Sequence, residues 1–168
     1  MQVLERLGYS AGATVAVVHA DDVGMSHAAN VGAFAALDAG PATCASVMVP
    51  CPWFGEAAEM ARARPDVDLG VHLTLNAEFD GYRWGPVAGR TAVPSLVDEA
   101  GHLLRTSRET VKSGSAADVR TELRAQIDAA LAAGIDVTHL DSHMGTVFHP
   151  KFFEVYLELG REYELPLF

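Results

Sequence analysis

The stretch that most constrains this chain is Val15 to Ser26, which reads Val-Ala-Val-Val-His-Ala-Asp-Asp-Val-Gly-Met-Ser. A short β-branched run stops at two adjacent carboxylates, Asp21 and Asp22. Gly24, Ser26 and a helical pattern follow at once. β-Branched residues suit the pleated surface of a strand, and Ser26 is a good helix N-cap. A buried strand ending in acids delivers them to the mouth of an α/β sheet or barrel. Successive strand side chains point to opposite faces. The two aspartates therefore differ in role, unless a bend at the strand end brings both to one site. There, one carboxylate would hold a metal and the other would act on a water. The plainer reading makes the pair a helix-start signal and a turn residue.

The rest of the chain repeats the strand-then-helix rhythm. Strands are predicted at Thr14–His19, Thr43–Val49, Val67–Thr74 and Thr138–Asp141. Helices are predicted at His27–Ala39, Phe54–Arg64 and Ser115–Ala133, with a last one from Pro150 to about Tyr163. Met1–Leu7 reads as a helical turn, Gly8–Gly12 as a linker, and Leu165–Phe168 as the start of another strand. The alternation predicts a parallel α/β architecture in one domain, residues 1–168. Asn76–Pro94 interrupts it with glycines, prolines, Phe79, Tyr82, Arg83 and Trp84. Long internal loops are usually functional, and Trp84 and Arg83 suit sugar stacking and hydroxyl recognition. The alternative is an apolar flap over the core. Ser95–Thr110 reads as a small helical or hairpin excursion. A final strand with nothing to cover it would leave an open edge, which favours association of the chain with itself.

The net charge of −10 argues against binding to a nucleic-acid backbone. No apolar run approaches the roughly 18 residues of a membrane span. The first residues, with Glu5 and Arg6, lack the apolar core of a signal peptide, so a cytoplasmic location is expected. Cys44 and Cys51 have no CxxC spacing and read as small core residues in a reducing compartment.

Polar clusters fall at three predicted strand ends: Asp21 with Asp22, then His72, then Asp141 with His143. In a parallel α/β fold these ends share one face. One carboxylate with two imidazoles is a common ligand set for a catalytic divalent metal, and it leaves room for water and substrate. A second carboxylate can take a proton. His19 reads as a satisfied core histidine and His139 as structural or supporting. His27 and His102 read as surface residues, and His149 as a neighbour of a helix start.

Three stretches resemble the YdjC-like family of carbohydrate deacetylases, which includes chitooligosaccharide and hopanoid-associated deacetylases. They are His19-Ala20-Asp21-Asp22-Val23-Gly24-Met25-Ser26, Gly70-Val71-His72-Leu73-Thr74-Leu75 and Thr138-His139-Leu140-Asp141-Ser142-His143. The resemblance implies a parallel β/α barrel-like fold related to polysaccharide deacetylases, here incomplete at the C-terminus. The 168 residues would cover about the N-terminal two-thirds of the family's usual length. It implies removal of N-acetyl groups from amino sugars by metal-activated water, with a small carbohydrate as substrate. Asp22, His72 and His143 would bind one divalent ion, magnesium or zinc, and Asp21 would be the general base. Asp141, Arg83 and Trp84 would support the ligands or contact substrate. Two imidazoles favour zinc or another transition metal. The sequence departs from the family at Gly145, where many members carry a further histidine, and it lacks the late segment holding their general acid. Weak activity of the chain alone is therefore expected. A metal-holding, non-catalytic sugar-binding fragment is the main alternative. A phosphoesterase ranks below it, because the long loop offers only Arg83 and Arg90 as anion partners.

Overall fold

The computed structural model describes residues 3–168. After a short helix α1 (Val3–Arg6) come β1 (His19–Val23), α2 (His27–Ala39), β2 (Cys44–Val47), α3 (Phe54–Arg62) and β3 (Leu69–Leu73). Then follow α4 (Ser107–Ser113), α5 (Ala116–Ala132), β4 (Val137–Ser142) and α6 (Phe153–Glu162). Met1 and Gln2, part of the expected first turn, lie outside the described residues. The strands form one parallel sheet in the order β1-β2-β3-β4. Each strand lies beside its successor, as in the wall of a β/α barrel. A doubly wound sheet would reverse direction partway. Leu167 bridges in parallel to Leu140 and begins a fifth position.

Register divides the sheet into two unlike faces. Ala45, Val47, Leu69, Val71, Leu73 and Leu140 are buried in one apolar core with Phe34 of α2, Ala57 of α3, Leu123 and Ile127 of α5 and Leu159 of α6. The alternate residues share the opposite face, since neighbours across a ladder point the same way. His19 pairs with Cys44, Ser46 with Gly70, and His72 with Asp141. The helix-free face is thus lined with polar and ligand-type groups.

Two β-bulges interrupt the ladders. Between the Ala20–Ala45 and Val23–Val47 pairs, Asp21 and Asp22 together face the single residue Ser46. Between the Leu69–Val137 and Val71–Leu140 pairs, Thr138 and His139 face the single residue Gly70. An extra residue bends the strand and re-aims side chains. Both bulges lie on the polar face.

The first strand is displaced from its expected place. Val15, Val17 and Val18 are 41%, 61% and 48% exposed. β2 begins at Cys44 opposite His19. Before that point, among the described residues, the hydrogen bonds linking the segment to the start of β2 are those of Val18 with the Thr43 backbone and hydroxyl. The apolar run therefore has no ladder partner, and the acids sit inside the strand rather than beyond it. The long insertion folds down as a packed flap. Trp84 is buried and donates its indole N–H to the Asn76 carbonyl at 2.9 Å. The Val87 and Ala88 amides donate to the buried Glu122 carboxylate, each at 2.9 Å. The region from Ser95 to Thr110 is both hairpin and helix: Val97 bridges antiparallel to Leu103, and α4 follows behind a Thr106–Glu109 capping box. Among the described residues, no helix is long and apolar enough to cross a membrane.

Candidate active site

Asp22 occupies the second position of the β1 bulge with φ of 58°. This left-handed conformation is uncommon for residues other than glycine, and Asp and Asn adopt it more readily than most. Gly24 follows with φ of 90°, and a Cβ there would meet the Met48 carbonyl at 3.0 Å. Its amide donates to Asn30 Oδ1 at 2.6 Å. Ser26 then caps α2 by accepting from the Ala29 amide at 3.1 Å. The chain thus leaves the sheet abruptly, with the Asp22 carboxylate turned toward the ends of β3 and β4.

His72 comes from near the end of β3. His143 follows β4 and opens a tight turn, in which Met144 and Gly145 have φ of 53° and 64°. Asp22 Oδ1 lies 3.3 Å from His72 Nε2 and 3.1 Å from His143 Nδ1. The ligand-type atoms of the three residues all lie within 4.8 Å of one another. Both histidines are almost wholly buried and Asp22 is partly open.

The far nitrogen of each imidazole also meets a carboxylate. His72 Nδ1 lies 2.8 Å from Asp141 Oδ2 and 3.0 Å from Ser46 Oγ. His143 Nε2 lies 3.2 Å from Glu78 Oε2. Such carboxylate–histidine pairs fix ring orientation and raise ligand basicity. Glu78 and Ser46 were not singled out in the sequence. The one signal for Glu78 was a carboxylate six residues after His72, and Ser46 had none until register placed it opposite Gly70 beside the first bulge.

Charge in this cluster is strongly coupled. Hydrogen bonds from His143 and His72 hold the Asp22 carboxyl well below the usual carboxylate range. Burial alone would lower His72, but Asp141 and Asp22 outweigh it and raise the imidazole to about 9. Burial opposes ionisation of Asp141, and its contact with His72 brings it down to about 2. Two buried imidazoles facing one carboxylate, each backed by another, fit a divalent cation.

The remaining residues take different places. Asp21 sits at the exposed position of the bulge, beside the triad in sequence. Arg83 pairs with Asp98 at 3.0 Å and donates to the Leu103 carbonyl at 2.6 Å, bracing the flap. The Trp84 ring centroid is 6.5 Å from that of His143, and Tyr82 and Phe79 stand edge-on to Trp84. Trp84 therefore supports the site from beneath rather than offering an open platform. The exposed aromatic of the flap is Phe79, which lines a cleft of about 410 Å³ with Met25, Ser26 and Tyr82. A second cleft of about 450 Å³ opens beside the turn after His143, lined by Ser107, Arg108, Val111, Gly145, Thr146 and His149.

Fold and site together define a parallel β/α protein with a candidate cation centre on the polar face of its sheet. The family model of the YdjC-like proteins matches residues 15–168. The chain belongs to that family. A carbohydrate deacetylase from Thermus thermophilus is 42% identical over 165 residues, covering 98% of this chain and 56% of the relative. One from Brevibacillus brevis is 34% identical over 151 residues, covering 90% of this chain and 57% of the relative. A crystal structure from Enterococcus faecalis V583, named as a candidate cellobiose-phosphate cleavage protein, superposes with a TM-score of 0.82 at 35% identity. That match covers 90% of this chain and 57% of the other. The chain thus spans somewhat more than half the length of the relatives it matches.

Proposed function

We propose that this chain carries the cation-binding part of a carbohydrate N-deacetylase, which hydrolyses an N-acetyl amide of an amino sugar to the amine and acetate. The observation that carries the reading is the convergence of Asp22, His72 and His143 with Asp141 and Glu78 behind the two imidazoles. The three converging residues would hold one divalent ion. Zinc or another transition metal suits two imidazoles better than magnesium does. When bound, such an ion polarises a carbonyl and makes water more acidic.

The chain's own groups supply the other parts. Asp21, exposed next to Asp22, is the candidate general base and takes the proton of the attacking water. Asp141 and Glu78 orient His72 and His143. Phe79 offers an apolar face to a sugar ring, and Arg108 offers donors to hydroxyls in the neighbouring cleft. The curated relatives' name supports a carbohydrate substrate.

The test measures zinc and magnesium binding by calorimetry and acetate release from N-acetylated chitooligosaccharides. Asp22→Asn and His72→Ala should lose the ion. Asp21→Asn should keep it and lose about 10²- to 10⁴-fold in whatever turnover the parent shows. Loss of the ion in Asp21→Asn with retention in Asp22→Asn would reverse the two roles. Release of phosphate from phosphosugars, with no acetate from any acetylated sugar, would overturn the reading.

A further inference from the structure

A second cluster of metal-ligand side chains lies on the same polar face, near the start of β1 and β2. His19, Cys44 and His139 offer ligand atoms within 4.8 Å of one another. Their placement follows from the sheet: His19 pairs with Cys44 across the β1–β2 ladder, and the second bulge swings His139 over Gly70. A Cβ at Gly70 would lie 2.5 Å from His139 Cδ2 and Nε2, so only glycine leaves room for the ring. Phe168 stacks against both imidazoles, with centroids 4.8 Å from His19 and 5.3 Å from His139.

The hydrogen bonds indicate where His139 carries its proton. Thr138 gives its single hydroxyl hydrogen to Asp68, so its oxygen accepts from His139 Nδ1 at 2.9 Å. Asp68 Oδ1 also lies 3.4 Å from that nitrogen. His139 therefore carries its proton on Nδ1 and presents a lone pair at Nε2. His19 Nδ1 lies 3.9 Å from Asp141 Oδ2, near a carboxylate but beyond hydrogen-bond reach. The His139 Nε2 lone pair accepts from His19 Nε2–H at 3.1 Å, with a cysteine sulfur beside them. A cation bound there would take the place of that shared proton, and a carboxylate stands near each far nitrogen, the usual arrangement behind a metal-bound histidine. Nitrogens bound to a tetrahedral zinc at about 2.0–2.1 Å lie about 3.3 Å apart, close to the separation seen here.

We propose that His19, Cys44 and His139 form a second metal site, distinct from the Asp22 centre and selective for a soft or borderline ion such as zinc. Three protein ligands leave one position open. Thiolate with imidazole excludes magnesium and calcium as natural occupants. The site is assigned from these residues alone and does not depend on the deacetylase reading.

Cobalt(II) serves as the probe, because a thiolate ligand gives it a charge-transfer band in the near ultraviolet. The reduced chain should bind two equivalents and show that band. Cys44→Ser should bind one equivalent without the band. Asp22→Asn should also bind one equivalent but keep the band, which separates the two sites. Cys51→Ser should leave the band unchanged. Circular dichroism checks each fold, and His139→Gln replaces Cys44→Ser as the deciding variant if the latter fails to fold. A single equivalent without the band in the parent chain overturns the proposal. So does a band that survives Cys44→Ser or His139→Gln.

Discussion

Asp141→Asn separates charge from shape at the centre of the site. In the metal-free chain His72 is held at about 9, against an ordinary 6.5. That difference corresponds to about 3 kcal/mol of preference for the charged imidazole in the folded state. Two carboxylates supply it against the opposing effect of burial. Asp141 is the nearer, at 2.8 Å against 3.3 Å for Asp22. Asparagine can still accept a hydrogen bond but carries no charge, so about half or more of the effect, roughly 1.5–2 kcal/mol, should be lost. The lowered pKa of Asp141 reports the same contact and is not added again. For the sign, the folded value lies above the unfolded one. The stabilisation is complete below pH 6.5 and is lost as pH rises through about 9. Urea unfolding with chelator present should therefore show a larger penalty for Asp141→Asn at about pH 6 than at about pH 10. Proton NMR should show His72 titrating at a lower pH in the variant. Equal penalties at both pH values, or a larger one at high pH, would refute the electrostatic account and leave Asp141 a packing residue.

Two further outcomes follow from the same geometry. Binding of an ion at the Asp22 centre must displace the His72 proton, so its affinity should rise by about tenfold per pH unit until His72 is neutral near 9; calorimetry in buffers of different ionisation heat counts the released proton. Glu122→Gln places an amide where the Val87 and Ala88 amides and the Gln126 side chain all donate. It should cost about 1–3 kcal/mol and speed proteolysis of the 76–94 flap, and an unchanged flap would show that the carboxylate does not anchor it.

The triad was legible because its members lie in short motifs at strand ends, and parallel order gathers strand ends on one side. The location of β1 was not. A β-branched run is evidence of strand only where a neighbouring strand runs alongside, and β2 starts too late to pair with Val15–Val17. The role of Trp84 was obscured for a related reason. An aromatic in a glycine-rich segment is read as exposed, yet its N–H finds the Asn76 carbonyl and its ring packs under His143. Glu78 was missed because its partner, His143, lies 65 residues away. No local pattern announces that contact. The second cluster was hidden in the same way: His19 reads as a satisfied core histidine and His139 as structural or supporting, and only the ladder and the Gly70 gap bring their rings together.

The first bulge changes what a shift in chain length would do. In a regular strand, removing one residue puts every later side chain on the wrong face. At the rung opposite Ser46, β1 carries one residue more than the ladder needs, and pairing resumes at Val23 with Val47. The rung behaves like a spare letter between two words that remain readable without it. Loss of either aspartate from the chain would leave Ala20 and Val23 facing the core, and the fold's apolar frame would be kept. The apolar frame of the fold therefore does not itself require two acids at this rung, and what the pair offers lies in the chemistry of the polar face.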